Sequence, residues 1–298
     1  MRKIKLVSKL LFAAAGCMMA AGCTCVSFSP AGSKDDSISL TDAKQYQIVN
    51  AETVVLNTVS EEEKLPVPEF NLLSMTLRNS PGNAFIQNWT SQAELIRQNG
   101  EQGTLTNDTD ALRVATRIIA PNVFDNSPAA IPVQIKSVIM IRPGKISPWW
   151  LTGYLLSLST SPMCESSLGT VIVEAVDGSG NTIGAKVILL RRSYWISGLL
   201  PTAAMCGGKY SVSKGDAGNM DDEEKSLLNQ IMARAAVDIL NINPEKTPAA
   251  SPEWINIRTA AIESIVSGDE ASVIKLLKDC RKQSIGGKEC QDWLNLID

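Results

Sequence analysis

Apolar and polar positions change period several times along this chain, and each change predicts an element. Gln47–Val59 carries Ile48, Val49, Val54, Val55, Leu56 and Val59, a first strand region. Pro66 and Pro68 break the chain before Phe70–Arg78, a second possible strand. The period then lengthens. Phe85, Trp89, Ala93 and Ile96 recur at steps of about 3.6 residues, which predicts an amphipathic helix over Phe85–Gln98, stopped by Gly100 and Gly103. Asp110–Ala120 places Leu112, Ala115, Ile118 and Ile119 on one helical face, and Pro121 ends it.

A β-rich stretch follows. Ile131, Val133 and Ile135 alternate with polar neighbours, and Val138 and Met140 resume the alternation shifted by one residue, as a bulge would produce. Thr170–Val176 and Ala185–Arg192 are apolar runs around Asp177-Gly178-Ser179-Gly180-Asn181, a hairpin signal. The glycines there lead into a strand at the wrong spacing for a dinucleotide loop. Asp221-Asp222-Glu223-Glu224 precedes Leu227, Leu228, Ile231, Ala235, Val237 and Ile239; Asp221 with Glu224 matches a capping box at a helix start. Pro244–Pro252 has linker composition. Beyond it, Trp254–Val266 and Glu270–Lys282 form a helical hairpin joined at Ser267-Gly268-Asp269, locally resembling one ankyrin-type helix pair. The expected fold class is α+β, an antiparallel sheet packed on two or three helices, with a C-terminal helical hairpin.

The first residues carry a different signal. Met-Arg-Lys-Ile-Lys precedes an apolar run from Leu10 to Ala21, too short for a membrane span of about 17–25 residues. Small residues then lead to a cysteine in Ala20-Ala21-Gly22-Cys23. This start resembles a bacterial lipoprotein signal. The resemblance implies cleavage before Cys23 and acylation of that residue, two or three chains being enough for stable anchoring. Ala14-Ala15-Gly16-Cys17 is a second match, but cutting there leaves a shorter apolar core. Thr24 rather than Asp after the lipidated cysteine implies the outer membrane, facing the periplasm. The implied organisation is a signal over 1–22, a flexible tether over 23–44, an α+β domain over 45–243 and the helical hairpin over 253–298.

Composition narrows the function classes. A chain 44% hydrophobic and 20% charged is globular. Removing Arg2, Lys3, Lys5 and Lys9 with the signal leaves 24 basic against 31 acidic side chains, a net −7. An acidic protein without a basic stripe points away from nucleic acid. It has no polybasic patch to draw it onto anionic lipid, so lipid alone must hold it. The chain has no histidine, which removes Ser-His-Asp and Cys-His catalysis in their usual forms and His-containing zinc sites.

Cys164, Cys206, Cys280 and Cys290 invite pairing as Cys164–Cys206 and Cys280–Cys290 in an oxidising envelope, although sequence alone leaves connectivity open. Cys25 would be left over. No C-x-x-C spacing occurs, so neither a metal site nor a cofactor is expected. Trp150-Leu151-Thr152-Gly153 and Trp195-Ile196-Ser197-Gly198 echo each other on the two flanks of the hairpin. Trp149, Trp150, Trp195, Leu199 and Leu200 are therefore either ordinary core or a surface that grips an envelope protein partner or dips into lipid.

Ser211–Lys214 and Ser272–Lys275 both fit Ser-x-x-Lys, but the companion Ser-Asp-Asn and Lys-Thr-Gly motifs are absent. No catalytic residue is assigned. The run Leu112–Pro128, the Ile131 strand and the Leu-rich segments are similar to uncharacterised bacterial envelope lipoproteins, a resemblance that implies no activity. The expected function is a non-enzymatic binding or assembly role at the membrane. Two alternatives stand beside it: an envelope hydrolase using paired carboxylates or a Ser/Lys dyad, and an accessory subunit of a transport or secretion complex.

Overall fold

The computed structural model describes residues 23–32, 45–57, 103–107, 109–121, 123–124, 129–141, 152–153, 156–157, 162–197, 209–213, 220, 222–240 and 251–297. The expected strand over Phe70–Arg78 and helix over Phe85–Gln98 lie outside them. Two compact units emerge. One takes the described residues within Met1–Phe28, Pro143–Ser167 and Arg192–Glu224; the other takes those within Ser29–Arg142, Leu168–Arg191 and Lys225–Asp298.

In order, the elements are β1 (Cys23–Pro30), β2 (Tyr46–Asn57), β3 (Gly103–Asn107), α1 (Thr109–Ile119), β4 (Ile131–Ile141), β5 (Met163–Asp177), β6 (Thr182–Ser197), β7 (Ser211–Ser213), α2 (Asp222–Leu240), α3 (Pro252–Ser267), α4 (Glu270–Lys282) and α5 (Gly287–Ile297). The class is α+β.

In the second unit the strand order is β3–β2–β4–β5–β6. The sheet is mixed rather than antiparallel, because β2 and β4 run parallel. Alternating apolar residues do not encode strand direction; the intervening α1 lets the chain return and run the same way. Adjacent strand residues point to opposite faces, and both faces here are covered. The Thr53 hydroxyl lies 3.9 Å from the Met232 sulfur of α2, while Val54 joins a cluster with Trp254, Ile262, Leu277 and Trp293 of the C-terminal helices.

That double cover explains the shifted alternation in β4. Residues Ser137 to Ile141 are all buried, and the β4–β5 register is unbroken from Val133↔Asp177 to Ile141↔Gly169. The expected bulge is not in β4. It lies in β2, where Ile48 faces Val133 but Asn50 faces Gln134. Val49 is the extra residue, and α1 clamps the distortion: Arg113 Nε donates to the Ile48 carbonyl at 2.7 Å, and the Ala51 N–H donates to Thr109 Oγ1 at 2.9 Å. Helix α1 buries Leu112, Ala115 and Thr116, whereas Ile118, expected on its inner face, is 77% exposed. Thr116 takes the inner place by turning its hydroxyl to the Leu112 carbonyl at 2.8 Å, which satisfies the buried polar atom.

Strands β5 and β6 form the expected hairpin. Asp177 Oδ1 accepts from the Ser179 and Asn181 N–H groups at 2.9 and 2.8 Å, and Gly180 sits at φ 85°, where a side chain would be strained.

The C-terminal region holds the expected helical hairpin, α3 and α4, and a third helix, α5, after it. Ser251 caps α3 and Pro252 follows at a position where its missing N–H costs nothing. Asp269 caps α4. Helix α5 buries Cys290, Trp293 and Leu294. The three share one apolar cluster with Val138, Met140, Leu168, Ile172 and Leu189 of the sheet, so they belong to its core. Trp254 and Trp293 pack edge to face, centroids 5.5 Å apart. Cys280 and Cys290 are disulfide-bonded with Cα atoms 6.7 Å apart, joining α4 to α5. Gly286 at φ 74° lets the chain pass the indole: a Cβ there would lie 2.6 Å from Trp254 ring atoms.

Candidate functional site

The first unit begins with a strand where a tether was expected. The Ser, Asp, Lys and Gly content of residues 31–44 dominates that reading, but Cys25-Val26-Ser27-Phe28 is a run of good strand formers. Cys25, Val26 and Phe28 are buried. β1 pairs antiparallel with β7 through Cys25↔Ser213, Val26↔Val212 and Ser27↔Ser211. The Phe28 N–H donates to the Tyr210 carbonyl at 2.8 Å, and Ser213 Oγ donates to the Thr24 carbonyl at 3.4 Å. Cys25 is not left over; it is disulfide-bonded. Residues 33–44 lie outside the described residues.

The same unit holds a buried ion pair that sequence reading did not find. Arg192 Nε and Nη2 both donate to Glu224 Oε1, at 3.1 and 2.9 Å, with the side chains 4% and 0% exposed. Glu224 was expected to serve a capping box with Asp221. Its carboxylate pairs with Arg192, since a buried guanidinium left without a counter-charge is costly. Asp221 lies outside the described residues.

In the second unit, Glu174 is the chemically unusual group. It stands opposite Lys136 in the β4–β5 ladder, on the β5 face that carries Leu168 and Ile172, and it is fully buried. Neither carboxylate oxygen meets hydrogen-bond geometry with a described residue. Burial pushes its pKa up to about 8, with Thr182 and the Lys136 charge drawing it part of the way back. The signal for it was a single acid inside the apolar run Thr170–Val176. A carboxylic acid that is neutral near pH 7 is a group enzymes use to donate protons, but this one has no exposed surface through which a substrate could reach it.

The raised pKa has a consequence for stability. The folded state holds this proton more tightly than the unfolded chain, so the contribution is complete below about pH 4.5 and is lost as the pH rises to about 8. Glu174→Gln should remove that slope and stabilise the protein at pH 8 by about 1–3 kcal/mol. Denaturant titrations from acid to mildly alkaline pH check this; parallel profiles for the two proteins would refute it.

The residues singled out from sequence are distributed as follows. The Cys23 backbone opens β1. Cys164 is exposed on β5 and its thiol donates to the Glu165 carbonyl at 3.8 Å, so it does not form the expected bond to Cys206. Cys206 lies outside the described residues, as do Trp149, Trp150, Leu199 and Leu200. Trp195 is half-buried in β6 between buried Tyr194 and Ile196. Ser272 of the second Ser-x-x-Lys match gives its hydroxyl to Asp269 Oδ2 at 2.6 Å in the α4 cap.

Comparisons with family models, with curated proteins and with solved structures return no match. A functional reading therefore rests on this chain's own residues. Among the described residues, no three His, Cys, Asp or Glu side chains gather as a metal site would require, and no helix is long and apolar enough to cross a membrane.

Proposed function

We propose that this chain is a lipid-anchored protein of the bacterial cell envelope, held at the outer membrane through acylated Cys23 and facing the periplasm, with a binding or assembly role. The observation that carries the reading is the sequence Ala20-Ala21-Gly22-Cys23 behind a basic start and a short apolar run. Disulfide bonding at Cys25 and at Cys280–Cys290 supports it, because such bonds persist in oxidising compartments such as the periplasm. The charged groups in the described interior support a binding role over catalysis: Glu224 is spent on Arg192, and Glu174 is closed off.

Envelope fractionation tests the anchor. The wild-type protein should sediment with outer membranes, and Cys23→Ser should shift it to the soluble or unprocessed pool. Crosslinking in intact envelopes tests the role: a stoichiometric protein partner is expected. A wild-type protein recovered in the cytosol would refute the placement.

A further inference from the structure

We propose that the β1–β7 edge of the first unit is a membrane-facing surface, held directly against the lipid headgroups of the bilayer that carries the anchor. This rests on acylation of Cys23, the reading given above, and adds to it where the folded protein meets the lipid.

The argument is one of reach. The ladder begins at Cys25↔Ser213, two residues after Cys23. A strand rises about 3.3 Å per residue, so Ser213 sits about 7 Å along the chain direction from the acylated position. A flexible tether of 22 residues, by contrast, would give a root-mean-square reach of about 25 Å. The short connection is also fixed. Cys25 and Val26 are buried, Cys25 is disulfide-bonded, and Ser213 Oγ donates to the Thr24 carbonyl. Acyl chains that enter a bilayer from Cys23 therefore draw this edge to the interface. The edge suits that setting. Ser213 is exposed and polar, and exposed Lys209 adds a cation close by in the chain, its ammonium 5.8 Å from the centroid of the buried Tyr210 ring.

The test uses the full-length acylated protein in vesicles of phosphatidylethanolamine and phosphatidylglycerol, with a genetically encoded fluorescent residue replacing Ser213 and spin-labelled headgroups as quencher. A second protein carries the same probe and a flexible Gly/Ser segment of about 20 residues inserted between Cys23 and Thr24, upstream of the first paired residue. Quenching at least twofold stronger without the insertion is the expected result. Acylated protein whose quenching is weak, or unchanged by the insertion, overturns this inference alone. A mass spectrum showing no acyl chain overturns it together with the anchor.

Discussion

Arg192→Leu should destabilise the protein by about 3–5 kcal/mol, because it takes the guanidinium away from the buried Glu224 carboxylate. Both guanidinium bonds converge on Oε1, and neither side chain retains more than 4% exposure. Water cannot take the place of Arg192 there without local opening. The converse variant, Glu224→Leu, should cost a similar amount for the same reason. Replacing both residues by leucine should recover most of the loss, since a well-packed apolar pair is often as stable as a buried ion pair. Denaturant midpoints of the three variants check the coupling. If each single loss falls within about 0.5 kcal/mol, the pair is solvated in solution and the account of the first unit fails.

Trp254→Ala should cost about 3–5 kcal/mol in the second unit. The indole is 1% exposed and meets Trp293 edge to face. Its Nε1–H donates to Glu289 Oε2 at 2.6 Å, while Arg258 Nη1 donates to the other oxygen of that carboxylate at 3.3 Å. Alanine would remove the apolar volume that joins α3 to α5 and leave Glu289 with Arg258 alone. Trp254→Phe separates the two effects: it keeps most of the packing and loses the N–H bond, so a loss of about 1–2 kcal/mol is expected. Thermal unfolding followed by circular dichroism distinguishes them. Equal losses for both variants would assign the stability to the hydrogen bond rather than to packing.

Local patterns in the sequence carried the elements whose neighbours are close in the chain. The β5–β6 hairpin was legible because Asp177 to Asn181 has turn chemistry at its own position. The start of α2, the α3–α4 pair and the end of α1 were legible from acids, Gly268 and Pro121. Helix α5 was not expected as a separate element, although Cys290, Trp293 and Leu294 fall at helical spacing. What local patterns could not give was long-range. The parallel pairing of β2 with β4 depends on a connection through β3 and α1. The shifted alternation in β4 reflects burial of both sheet faces rather than a bulge, and the bulge lies in β2. Tertiary pairing also overrode the composition around residues 31–44, turning Cys23–Pro30 into a strand.

The candidate chemistry divides in the same way. The proposal for Cys23 rests on a processing signal, which is read as a linear sequence and needs no fold. The Arg192–Glu224 pair was not legible, since its members lie 32 residues apart and each looked ordinary: a strand-end arginine and one acid of four. Glu174 left only a faint trace, an acid in an apolar run. Whether such a residue is solvated or buried is decided by tertiary packing, which a run of neighbours in sequence does not show.

Intact-mass and N-terminal peptide mass spectrometry of the protein purified from its native membranes tests the central claim most directly. The account predicts a chain that begins at Cys23 and carries acyl chains on that residue. A chain that retains Met1, or an unmodified Cys23 thiol, would contradict it.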